Sequence, residues 1–226
     1  MLKSKSIFVA VLNQGSIRVE LSSLLFTLTQ QGKYELIIQY PGEKPISYNR
    51  NKIVVDFLAS DCDYLLMIDS DIIPPDNILN LADYQMDVVG ALCFMYQQNA
   101  IAPLTLRKSP EGAYHVMPIK GDEGLIECDA IGTGCIMLSR KVLESIRAPF
   151  MNEYDADGMK KIGLDIAFCR RVKEKGYKTY CHLDYSCSHF VESDLKKVYI
   201  AIESRIRTIQ KLEEELETLK GQQKIA

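Results

Sequence analysis

An α/β fold built on a mostly parallel sheet is the architecture the sequence predicts, and three observations predict it. Short apolar runs alternate with segments of helical periodicity through the first half of the chain, the order expected of strand-helix-strand units. One of these runs, YLLMIDSDIIPPD at 64–76, passes from a buried-strand pattern straight into two aspartates one residue apart and then two prolines. The 226 residues are 47% hydrophobic and 25% charged, the composition of one ordinary globular domain with or without an appendage.

Ser6–Leu12 reads as the first strand. Its apolar run is too short for the hydrophobic segment of a secretion signal, and no small-residue cleavage pattern follows it. Residues 16–30 carry apolar side chains at Val19, Leu21, Leu24, Leu25 and Leu28, a helical spacing that Gly32 ends. A second strand at 34–40 leads into the turn-forming PGEKP loop, and a helix at 49–59 precedes the third strand at 64–68. Pro74 and Pro75 introduce a helix at 76–84, and 88–94 is a further strand. Strands and helices in this order give a parallel sheet covered on both faces, whose ligands bind beyond the carboxyl ends of the strands.

The second half is less regular. Residues 96–125 hold a hairpin around 109–112 and form an excursion facing the substrate. Strands at 126–131 and 135–138 flank the Gly132-Thr133-Gly134 turn, and Ser139 is placed to cap a helix over 140–147 that Pro149 ends. The acidic loop NEYDADGMKKIG follows, then a helix at 165–175 stopped by Gly176 and a strand at 177–181. From 195 to 220 the pattern is one long helix with a narrow stripe of Ile202, Ile209, Leu212, Leu216 and Leu219. Packing against its own domain and self-association into a homo-oligomer fit that stripe equally well.

A net charge of −3 leaves no basic footprint for nonspecific nucleic-acid binding. The seven cysteines are odd in number, scattered and without a C-x-x-C pair, which argues against a zinc site or disulfide framework and for reduced, packed thiols. No window approaches the ~18 apolar residues of a membrane span, so a soluble, cytoplasmic protein is expected.

Asp69 and Asp71 are the expected chemical centre. Side chains at i and i+2 of an extended chain share a face, so two hard oxygen donors would converge just past the strand end. Mg2+ and Mn2+ bind there with carboxylates, waters and substrate phosphates. Ending a nearly continuous apolar strand in two carboxylates is unfavourable without a cation or hydrogen bonds to compensate them; the plain alternative is turn chemistry. Asp165, at a helix start, reads as an ordinary cap or as a functional carboxylate. Gly132 and Gly134 allow either a tight turn or the close approach of a ligand.

The chain resembles the GT-A glycosyltransferases, particularly compact members similar to glycosyltransferase family two, over about residues 6–192. The resemblance rests on YNRNKIV, YLLMIDSDIIPPD, GTGCIMLSRKVLE, GLDIAFCRRVKEKGYKTY and CSH at 187–189, in that order. It implies a GT-A, Rossmann-like catalytic domain at 1–192, with a nucleotide-sugar half at 1–95 and an acceptor half at 96–192, then a helical extension at 193–226. The implied activity is that of a metal-dependent hexosyl- or pentosyltransferase. The donor would be a nucleotide-diphosphate sugar, UDP-sugar favoured, and the acceptor a hydroxyl on a glycan, lipid, protein or modified nucleobase.

Under this resemblance Asp71 binds the Mn2+ or Mg2+ ion, Asp69 reaches it through water or contacts the donor ribose, and His189 is a metal ligand from the C-terminal side. Asp165 is the general base of an inverting transfer; the usual Glu-Asp of similar enzymes is Leu164-Asp165 here, which leaves the stereochemistry open. Asn13 and Gln14 lie at the strand edge where the nucleotide base would sit. Arg50 and Asn51 start a helix from which a guanidinium would contact the donor, with a solvated or core-bridging arginine as the alternative. Gly132 and Gly134 would bed a sugar, and Asp155 and Asp157 would touch an acceptor or simply form a turn. Two other functions stand beside this one. Nucleotidyl transfer lacks a glycine-rich, lysine-bearing loop in VLNQGSIRVE, and a non-catalytic scaffold would oligomerise through the C-terminal helix.

Overall fold

The first strand, β1 (Ser6–Leu12), is buried along its whole length, as a strand must be when its sheet is covered on both faces. Phe8, Ala10 and Leu12 join one apolar cluster and Ile7, Val9 and Val11 the other, so successive side chains alternate between the two covered faces. The computed structural model describes residues 5–97, 100–119, 121 and 124–223.

In order the chain forms β1, α1 (Val19–Gln30), β2 (Glu35–Gln39), α2 (Ile46–Leu58), β3 (Tyr64–Asp69), β4 (Ile72–Ile73), a 3-10 segment (Ile78–Tyr84) and β5 (Val88–Leu92). Then come β6 (Phe94–Gln97), β7 (Ala100–Pro103), β8 (Thr105–Lys108), β9 (Tyr114–Val116), β10 (Leu125–Cys128), β11 (Ala130–Ile131), β12 (Cys135–Ser139) and α3 (Arg140–Ser145). The last elements are β13 (Glu153–Tyr154), β14 (Lys160–Ile162), α4 (Leu164–Glu174), β15 (Thr179–Ser186), β16 (Ser188–His189) and α5 (Leu195–Gln223). Leu21, Leu25 and Leu28 of α1 cover one face of the sheet, and Ile53, Val54 and Phe57 of α2 the other.

Seven strands make the central sheet in the order β10-β15-β5-β12-β3-β1-β2. β2, β1 and β3 pair in parallel, as do β5 and β15. β12 lies antiparallel between β3 and β5, and β10 runs antiparallel along β15. This is the mixed α/β, Rossmann-like class with a C-terminal helix that the sequence predicts. The antiparallel β12 has a local consequence: Cys135 pairs with Ile68, so the Gly132-Thr133-Gly134 turn arrives at the carboxyl end of β3.

Several elements differ from expectation. Residues 126–131 are not one strand, because the run breaks at Asp129, whose carboxylate accepts from Lys173 Nζ at 2.7 Å and from the Lys108 amide at 3.0 Å. β10 stays on the central sheet while β11 turns away to pair with β8. In place of the helix expected at 76–84 there is a 3-10 helix at Ile78–Tyr84, and α2 begins a turn earlier than predicted, directly after Pro45. The acidic loop is a hairpin of β13 and β14. Asp155 Oδ1 accepts from the amides of Asp157 and Met159 at 3.0 and 2.9 Å, and Gly158 takes φ +77, so Asp155 and Asp157 serve a turn.

The seven cysteines are all free and buried, as packing residues. By contact the chain divides into Met1–Met95 with Pro103–Phe190, and Tyr96–Ala102 with Val191–Ala226. Among the described residues no helix is long and apolar enough to cross a membrane. α5 carries exposed apolar side chains along its length and i,i+4 pairs Glu203–Arg207 and Lys211–Glu215. The side chain of Leu219 lies outside the described residues.

Candidate active site

β1 and β3 end side by side. Leu12 is in register with Asp69, and the Ser70 amide donates to the Leu12 carbonyl at 2.9 Å. A cavity of about 780 Å³ opens at this carboxyl edge, with Asn13, Gln14, Lys44, Asn49, Asp69 and Asp71 among its walls, a volume in the range of small-molecule sites. Asn13 and Gln14 follow β1 directly and line this cavity. The Asn13 side chain shapes the loop: Nδ2 donates to Tyr40 O at 3.0 Å and Oδ1 accepts from the Gly15 amide at 2.9 Å.

The two aspartates border the same cavity but have different partners. β3 stops at Asp69 and the chain turns through Ser70 and Asp71, so the extended i, i+2 geometry does not carry through. Both oxygens of Asp69 accept from Arg50 Nη2, at 2.7 and 2.9 Å, and the Asp69 amide donates to Gly134 O at 2.8 Å. Arg50 is only 3% exposed, and its Nη1 donates to Thr133 O at 3.0 Å. One expectation is corrected here. Arg50 is the core-bridging arginine rather than a donor contact, and its guanidinium clasps Asp69. Asn51 is corrected as well: it exchanges hydrogen bonds with the Phe150 backbone, donating at 2.8 Å and accepting at 3.0 Å.

Burial pushes the Asp69 carboxyl up to about 6, with Arg50 pulling it down and the Asp71 and Asp165 charges adding to the rise, although the side chain keeps 31% of its surface open. The sign for stability follows from linkage. Between the ordinary carboxylate value and about 6 the folded protein holds a proton that the unfolded chain has lost, so this group makes stability fall as pH rises through that window. Urea midpoints from about pH 4 to about pH 7 should show the decline, and Asp69→Asn should remove this share of it. Equal slopes in the two proteins would refute the assignment.

Asp71 meets His189 through a short ladder. β4 follows directly after Asp71 and pairs antiparallel with β16, placing His189 opposite Ile72. His189 Nε2 lies 3.5 Å from Asp71 Oδ2, and Nδ1 lies 2.6 Å from Phe94 O. A carbonyl can only accept, so Nδ1 carries a proton, and the Nε2 edge of the ring faces the carboxylate. A backbone carbonyl behind an imidazole, with its second nitrogen and a carboxylate in front, suits a bound cation.

Among the described residues no three His, Cys, Asp or Glu side chains are arranged to hold a metal ion. Of the expected Asp69, Asp71 and His189, the structure brings Asp71 and His189 within 3.5 Å of each other, and Asp69 borders the same cavity as Asp71. The pair of Asp71 and His189 fits Mg2+ or Mn2+ whose other positions go to waters and substrate phosphates.

Thr133 ties the remaining parts together. It is 1% exposed; its carbonyl accepts from Arg50, and its hydroxyl donates to Asp165 Oδ1 at 2.6 Å. Asp165 lies in the first turn of α4, whose cap is Gly163, so it is not the capping residue. The two glycines around Thr133 allow close packing of the protein's own side chains. A Cβ on Gly132 would come within 2.7 Å of Leu104 Cδ1, and one on Gly134 within 3.3 Å of Ile72 and 3.5 Å of Asp69 Oδ2.

Sequence reasoning missed Thr133, Asn49 and Lys44. Asn49 is 1% exposed, with Nδ2 donating to Pro41 O at 3.2 Å and Oδ1 without a partner among the described residues. Its spacing of four from Ile53 and eight from Phe57 was the available signal for a polar group on a buried helix face.

No protein-family model matches the chain, and no curated protein matches it either. Among solved structures, A197 from STIV aligns with a TM-score of 0.55 at 20% identity, covering 83% of this chain and 86% of that one, which shows a shared fold. UDP-glucose pyrophosphorylase complexed with UDP-glucose aligns with a TM-score of 0.46 at 8% identity, over 91% and 100% of the two chains. The inositol-1-phosphate CTP transferase from T. maritima aligns with a TM-score of 0.43 at 8% identity, over 89% and 97%. The last two names lie on the side of nucleotidyl transfer rather than glycosyl transfer, and likenesses this loose carry no argument about activity.

Proposed function

We propose that this chain is a divalent-metal-dependent transferase of nucleotide-diphosphate sugars, and that it moves the sugar to an acceptor hydroxyl. The observation that carries the proposal is a division of labour at one carboxyl edge. Asp71 and the carbonyl-oriented His189 form a pair suited to an ion, while Asp165, held by Thr133, is a separate carboxylate. When bound, the ion neutralises charge on the departing nucleoside diphosphate.

Asp71 and His189 hold that ion, and Asn13 and Gln14 border the nucleotide. Asp69, locked by Arg50, forms a fixed acceptor wall towards the ribose. Asp165 takes the acceptor proton as the hydroxyl attacks the anomeric carbon. Residues 1–95 thus supply the donor half and residues 96–192 the acceptor half. Asp165→Asn is expected to slow transfer by roughly 10²- to 10⁴-fold while the affinity for nucleoside diphosphate with Mn2+ stays the same. Turnover at the wild-type rate would remove Asp165 from this role.

Nucleotidyl transfer is the second reading, and Lys44 favours it. The first loop has no lysine, yet Lys44 reaches the wall of the same cavity from the PGEKP loop, where a cation would meet a triphosphate. One assay separates the two. With Mn2+, release of nucleoside diphosphate from nucleotide sugars supports sugar transfer, and pyrophosphate from nucleoside triphosphate plus sugar phosphate supports the second reading. Binding of nucleotide with neither product would leave a scaffold.

A further inference from the structure

We infer that α5 pairs with α5 of a second copy of this chain, antiparallel, about a two-fold axis at Ile209. Ile202, Ile206, Ile209, Leu212 and Leu216 are 45–58% exposed on a helix of 29 residues. A stripe of this kind is stabilised by covering it, and helix propensity alone holds such a segment only marginally.

The stripe is symmetric about one residue. Ile206 and Leu212 stand three positions from Ile209, Ile202 and Leu216 seven, and in the sequence Tyr199 and Leu219 stand ten. A pattern that reads the same in both directions complements itself when the second helix runs the opposite way. The two successive steps of three across Ile209 place the centre of the stripe at that residue.

The charges select the same direction. Before Ile209, Lys196, Lys197, Arg205 and Arg207 outnumber Glu203; after it, Glu213, Glu214, Glu215 and Glu217 outnumber Lys211 and Lys220. Parallel pairing would stack the glutamate cluster on its own copy. Antiparallel pairing sets the basic half of each helix beside the acidic half of the other, and the two-fold operator closes the assembly at a dimer.

The full chain should sediment at micromolar concentration as a dimer of the 25.6 kDa protomer. Ile202→Cys and Leu216→Cys, made separately, test the direction, since the native cysteines are buried. Oxidised together, the two variants should cross-link to each other. Oxidised alone, neither should, because residue 202 lies opposite position 216 in the other subunit and about 21 Å from its own counterpart. Self-linking of each variant would overturn the antiparallel arrangement. A monomeric native chain would overturn the pairing itself, and so would a monomer that binds phosphatidylserine vesicles through α5.

Discussion

Replacing Asp71 with alanine is expected to reduce metal-dependent turnover by roughly a thousandfold, about 4 kcal/mol of barrier, and to leave the fold nearly as stable as before. The two readouts separate because Asp71 contributes to structure mainly through its backbone. Its carbonyl accepts from the Phe190 amide at 2.9 Å, whereas its side chain is 52% exposed and lies 3.5 Å from His189 Nε2. Product release over a Mn2+ titration, alongside urea unfolding, checks both halves. Wild-type turnover in the variant would show that the cation is held by other groups.

Arg50→Met should act in the opposite sense, through stability first. The substitution leaves the Asp69 carboxylate in its poorly solvated position without the guanidinium, and Thr133 O without its donor. Breaking a buried pair from one side costs about 3–5 kcal/mol. The loss should shrink in acid, because Asp69 without Arg50 holds its proton to still higher pH and no longer presents a charge. It should also shrink in the double variant Arg50→Met, Asp69→Leu, which removes both partners. A single variant as stable as wild type at neutral pH would mean that solvent already screens the pair.

The first half of the chain was legible because its strands are apolar throughout and its helices keep one apolar stripe. That pattern located β1, β3 and α1 closely, and it put the carboxyl edge of the sheet at Asp69 and Asp71. The direction of β12 was not legible, since residue order does not say whether a strand joining a sheet late runs with or against its neighbours. For Arg50 a donor contact, solvent and the core all fitted the sequence, because a charge one residue beyond Asn49, on the face that also carries Ile53, Val54 and Phe57, does not declare its partner. His189 came forward only through motif order. The ladder that brings it to Asp71 is two residues long on each side, below anything periodicity detects. Thr133 went unnoticed between two glycines because a hydroxyl in a turn has many ordinary uses.

That small ladder also sets when the candidate site comes into being. β1, β2 and β3 join through short crossovers, but β4 and β16 come from opposite halves of the chain, and contacts of that kind close after local ones because of their loop entropy. A chain halted before β16 could own the sheet edge and much of the cavity, yet it would lack the imidazole. Affinity for a divalent cation would then report completion of the fold, and the ion would in turn hold the closing contact shut by mass action.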